Sequence, residues 1–136
     1  MVQLIDPWQV KEGDFPSRGS KADVLRFCLN YAVLAPSSHN TQPWIFKLLD
    51  DRVELHADTS RNLPVVDPQR RELVISCGAA LFNPRLALRR FGFEDIVELL
   101  PNPYEPSLLA RITYGDRVPC TPPIERLFRA IPHRHT

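Results

Sequence analysis

The chain has 136 residues, 43% hydrophobic and 24% charged, which suits one small globular domain with a modest core. Seventeen Lys and Arg stand against 16 Asp and Glu, and the net charge of +1 argues against a nucleic-acid or anionic-membrane partner. No apolar run is long enough to span a bilayer, and "MVQLIDPWQVKEGDFP" lacks the basic and apolar regions of a signal peptide, so a cytoplasmic protein is expected.

Residues 1–19 have no clear period and predict an arm anchored by Trp8 and Phe15. "SKADVLRFCLNYAVLAPS" predicts a helix opened by a Ser20–Asp23 capping box, striped by Val24, Phe27, Cys28, Tyr31 and Ala35, and ended by Pro36. After a polar segment, "WIFKLLD" and "RVELHAD" predict two strands joined by a tight turn at Asp50-Asp51. Val53, Leu55 and Ala57 alternate with Arg52, Glu54 and His56, which puts His56 on the solvent face.

The longest helical pattern is "DPQRRELVISCGAALFNPRLALRRFG", with Asp67 as N-cap, Pro68 in the first turn and Gly92 as the stop. Leu73, Cys77, Ala80, Leu81, Leu88 and Phe91 supply its apolar face, and Pro84 is expected to kink it. Its "SCGAA" stretch lets a helix or a flat ligand approach the backbone closely. Gly78 costs about 1 kcal/mol relative to Ala in a helix, which implies a packing reason for it. "EDIVELL" and "SLLARITYG" predict two more strands around a proline-rich loop, and "TPPIERLFRAIP" a short helix capped by Thr121. Paired strands between helices point to an α+β fold with a mostly antiparallel sheet.

Little in the chain resembles catalytic machinery. It has no nucleophile elbow, dinucleotide fingerprint or metal motif, and its five glycines do not form a phosphate cradle. Cys28, Cys77 and Cys120 are far apart and fit small buried hydrophobes better than redox or metal roles. Asp50-Asp51 and Glu94-Asp95 fit solvated ends of elements. His133 and His135 lack the further ligands a metal needs, so no metal site and no catalytic residue is assigned. The polar run Ser37 to Gln42 within "APSSHNTQPW" stands out. It fits a plain helix-to-strand connection. It also fits a platform of short donors and acceptors, preorganised by two prolines for a flat polar ligand.

The segment "APSSHNTQPW" resembles the first signature of the nitroreductase family, carried here by Pro36, Ser37, Ser38, Asn40, Gln42, Pro43 and Trp44. The long helix resembles a second signature, found in a divergent branch of actinobacterial, dormancy-associated flavin-binding proteins in which two nitroreductase-like halves are fused. The tail "RLFRAIPHRHT" resembles the start of that branch's second half. The resemblance implies a sheet flanked by helices, FMN at the interface of two halves, and electron transfer from NAD(P)H to a nitroaromatic or quinone. Pro36, Ser37, Ser38 and Asn40 would approach the flavin, and Arg134, His135 and Thr136 would begin the grip on its phosphate.

The implied organisation is an arm over 1–19, a first half over 20–115, and a connection with the start of a second half over 116–136. Because the chain ends inside the phosphate segment, a homodimer or a missing second half is expected to complete the site. Non-catalytic flavin sequestration, and an inert fragment or interaction module, are the alternatives.

Overall fold

The computed structural model describes residues 10–37, 41–61 and 68–133. Helix α1 (Lys21–Ala32) is followed by strands β1 (Trp44–Leu48) and β2 (Val53–Ala57) and by helix α2 (Arg71–Arg90). Strands β3 (Phe93–Leu99) and β4 (Leu108–Arg117) and helix α3 (Pro122–Ala130) complete the order. The four strands form one antiparallel sheet in the order β1-β2-β4-β3, so the expected α+β class is borne out.

Local chemistry sets most boundaries. Ser20 accepts from the Asp23 N–H at 3.1 Å while Asp23 accepts from the Ser20 N–H at 3.0 Å, so two otherwise orphaned donors are satisfied at the start of α1. This helix ends at Ala32, earlier than Pro36. Leu34 and Ala35 donate to Tyr31 and Ala32, bonds of the tighter i to i−3 kind, and a following proline disfavours the α region at Ala35. Asp50 and Asp51 make the expected two-residue turn, closed by the Leu49 N–H on the Arg52 carbonyl at 2.8 Å.

Helix α2 also starts later than the sequence suggests. Asp67 lies outside the described residues, and Pro68 sits in a turn rather than in the helix. Arg70 takes a left-handed φ of 59°, which breaks any α run from Pro68, and regular structure begins at Arg71. The helix continues through Pro84, which lacks the N–H for the usual bond to Ala80. It ends as expected, with Gly92 at φ +90° donating to Arg89. At α3, Thr121 holds the N-cap position, but its side chain makes no capping bond.

The core lies between the helices and one face of the sheet. Val53 and Leu55 of β2 and Ala110 and Ile112 of β4 pack against Val24, Phe27 and Cys28 of α1 and Cys77, Ala80 and Leu88 of α2. The N-terminal arm joins through Phe15, which stacks on Phe91 at 4.2 Å and meets the Phe27 edge at 5.5 Å. Trp8 lies outside the described residues. Cys28 and Cys77 are buried as expected. No helix among the described residues is long and apolar enough to cross a membrane.

Two polar groups depart from expectation. His56 is buried, not solvent-facing. The β2–β4 register shifts between Leu55 and His56, and the proline-rich loop brings Glu105 close to the ring. The two ring nitrogens face carboxylates, Nε2 at 3.3 Å from Glu54 and Nδ1 at 3.8 Å from Glu105. Burial alone would raise the Glu54 pKa, but hydrogen bonds from Arg111 and His56 outweigh it and hold the carboxyl below its ordinary range. Asp95 is likewise no solvated end: its side chain is 3% exposed and is clasped by Arg85 at 2.6 Å and by Arg89.

Candidate functional site

The signature segment leaves α1 at its C-terminal end and enters β1 at Trp44. Pro36 and Ser37 line a groove of about 290 Å³ with Glu72, Ile75, Ser76 and Ala79 of α2. Thus two of the seven expected site residues are brought beside the small-residue stretch of the long helix. Ser38, Asn40, Arg134, His135 and Thr136 lie outside the described residues.

The segment is tied down at four points. The Gln42 N–H donates to Ser37 Oγ at 2.9 Å, so the chain on the two sides of 38–40 is held together. Gln42 takes a left-handed φ of 48°, a conformation that costs of order 1–3 kcal/mol for a non-glycine residue and persists only where its surroundings impose it. The Pro43 carbonyl accepts from the Asp58 N–H at 2.9 Å and from the Cys77 thiol at 3.3 Å. Arg61, in a short 3-10 turn (Thr59–Arg61) after β2, donates from Nη1 to the Thr41 carbonyl at 3.0 Å.

Asp58 anchors that turn. Its carboxylate accepts from the Ser60 hydroxyl and N–H and lies 3.4 Å from Arg61 Nε. The Ser60 hydroxyl bond, aided by Arg61, holds the Asp58 carboxyl below its ordinary pKa despite partial burial. Neither Asp58 nor Arg61 stands out when the sequence is read for chemistry. Their i,i+3 spacing just past a strand was the available signal.

The chemistry of the groove is that of a contact surface. Its described lining has two hydroxyl-bearing residues, one carboxylate and apolar side chains, and no Arg or Lys. Such a lining fits a flat, largely uncharged ring and does not fit a phosphate. Gly78 has no neighbour where a Cβ would point, so no packing partner within the described chain accounts for it. Beside it the α2 surface is open and apolar, with Ile75 70% and Phe82 43% exposed. Cys77 is no free nucleophile: burial pushes its thiol up to about 11.

Comparison with known proteins adds a lineage. No family model matches the chain. It is 38% identical over 115 residues to a Mycobacterium tuberculosis (strain H37Rv) protein named "Putative NAD(P)H nitroreductase Rv3131", covering 85% of this chain and 33% of that relative. It is 39% identical over 93 residues to "Putative NAD(P)H nitroreductase acg" of the same organism, covering 68% and 28%. A third relative there, "Uncharacterized protein Rv3127", is 30% identical over 96 residues. The chain therefore spans 33% or less of the length of these curated relatives. The similarity to proteins so named supports kinship with the nitroreductase family over the matched segment.

Proposed function

We propose that this chain supplies one half of an FMN site in a nitroreductase-type oxidoreductase, which passes electrons from NAD(P)H to a small electron-poor acceptor such as a nitroaromatic or quinone. The observation that carries the proposal is the groove in which Pro36 and Ser37 face Ser76 and Ala79 of α2. Its small side chains leave room for a flat ring, and its lining suits one. When bound, FMN supplies the hydride-accepting chemistry, which removes the need for a catalytic acid–base pair from the protein.

In this proposal Pro36, Ser37, Ser38 and Asn40 contact the flavin ring, and Arg134, His135 and Thr136 begin the phosphate grip. The phosphate requires cationic groups from outside the groove, since Arg forks and hydroxyls are its natural donors. Residues 20–115 act as the first half, and 116–136 lead into a second. That second half, in the same polypeptide or in another copy, covers the exposed Ile75, Gly78 and Phe82. The share of the curated relatives matched, 33%, supports an incomplete site in the 136 residues alone.

The test is the visible absorption spectrum of the chain after gel filtration with FMN, beside a longer version carrying a second half. A flavin band retained by either supports the site, and its absence from both overturns it. Ser38→Ala with Asn40→Ala is expected to weaken retention without loss of fold. Anaerobic addition of NAD(P)H should then bleach the bound flavin, whereas a flavin that stays oxidised marks a sequestering protein instead.

A further inference from the structure

We infer that Arg61 and Asp58 are positioning residues for Thr41–Pro43 and, through the bond from Gln42 to Ser37, for Ser37 where it lines the proposed flavin groove. The inference rests on the proposed flavin site. Its two anchoring residues, Arg61 and Asp58, lie outside the groove lining. Arg61 crosses from the turn after β2 to the Thr41 carbonyl at 3.0 Å, and its Nε lies 3.4 Å from Asp58. The main chain of Asp58 adds a bond to Pro43 at 2.9 Å. Consecutive stretches of the segment, Thr41 and Pro43, are thereby pinned on either side of Gln42 and its left-handed backbone.

Three features separate this device from ordinary packing. The Arg61 side chain is 57% exposed and is no part of the hydrophobic core. Its bond goes to the main chain of the segment, so it constrains backbone position and is indifferent to which side chain Thr41 carries. Gln42, the residue it helps to pin, is the one that reaches back to Ser37, a lining residue of the groove. Pinning Thr41 and Pro43 thus restricts Ser37 through a single intervening hydrogen bond. A ligand platform held this way loses less freedom on binding, which is where preorganised sites gain affinity.

FMN titration of the full chain, followed by flavin fluorescence, tests the inference with Arg61→Ala, Arg61→Lys and Asp58→Asn. Arg61→Ala is expected to weaken FMN binding about tenfold, the scale of one hydrogen bond from a charged donor, with the thermal midpoint unchanged. Arg61→Lys, which keeps one donor for Thr41, should recover most of the affinity. Asp58→Asn, which removes the anionic partner of the guanidinium but keeps the main-chain bond, should fall between. Wild-type affinity in Arg61→Ala overturns the inference, as does a loss that Arg61→Lys does not relieve.

If the wild-type chain binds no FMN, the flavin proposal fails by itself. The positioning role is then decided by hydrogen exchange at the Gln42 amide, held by Ser37 at 2.9 Å. Faster exchange in Arg61→Ala supports the role, and unchanged exchange overturns it.

Discussion

The Cys77 thiol lies 3.3 Å from the main-chain oxygen of Pro43, so the small-residue stretch of α2 and the signature segment meet at a buried contact. Helix and segment are therefore parts of one unit.

This burial predicts a thiol count. The thiolate is the species that reacts with disulfide reagents. Burial raises the Cys77 pKa to about 11 and drives Cys28 higher still. Cys120 is only partly buried. An aromatic disulfide reagent at neutral pH should therefore titrate one of the three thiols rapidly in the folded chain and all three after unfolding. Two or more rapid equivalents in the native chain would contradict this arrangement.

Asp95 predicts an acid limb of stability. Burial alone would raise its pKa, but the hydrogen bonds from Arg85 and Arg89 prevail and the folded carboxyl sits below its ordinary value. As pH falls, the unfolded chain takes up this proton first. The contribution is thus complete above about pH 4, the ordinary carboxylate value, and disappears as pH falls through the folded value. Asp95→Asn should cost about 1–3 kcal/mol near neutral pH, the loss expected on removing charged hydrogen bonds. It should also flatten the acid side of a plot of urea midpoint against pH. An equally steep plot for the variant would show that other carboxylates carry the acid limb.

The glycines predict opposite signs. Gly92 sits at φ +90°, where an added Cβ is strained and would also lie 3.4 Å from the Val118 carbonyl oxygen. Gly92→Ala should lower stability by about 1–2 kcal/mol. Gly78 is helical with open space around it, so Gly78→Ala should raise stability by about 0.5–1 kcal/mol. Thermal midpoints moving apart in these directions would confirm both backbone assignments, and a destabilised Gly78→Ala would reveal a covering partner already in place in solution.

The capping box predicts a local effect. Ser20→Ala removes the acceptor for the Asp23 N–H and should cost about 1 kcal/mol in chemical unfolding. Ser20→Asp, which restores an acceptor at the N-cap, should recover most of it. Equal losses in the two variants would mean that packing, not capping, sets the start of α1.

Read alone, the sequence determined those features whose causes are local. Side-chain periods three to four and two residues apart placed α1, the long helix and all four strands, because each element must turn an apolar side toward the core. The Ser20–Asp23 box, the Asp50–Asp51 turn and the Gly92 stop were legible because their bonds close within a few residues. The segment from Ala35 to Trp44 announced itself by a density of short polar side chains between two prolines.

Features that depend on distant parts of the chain follow from packing. His56 was predicted to face solvent, yet a register shift against β4 and the approach of Glu105 bury it. Asp95 resembled a solvated strand end until α2 brought Arg85 and Arg89 onto its carboxylate. Arg61 and Asp58 are not singled out by any sequence motif. Arg61 lies 20 positions from Thr41, and no local pattern encodes a bond to a main-chain oxygen, which every residue possesses. The physical reason is common to all three. Periodicity records which side of an element is buried, whereas the partner that neutralises or pins a polar group is chosen by how the elements pack.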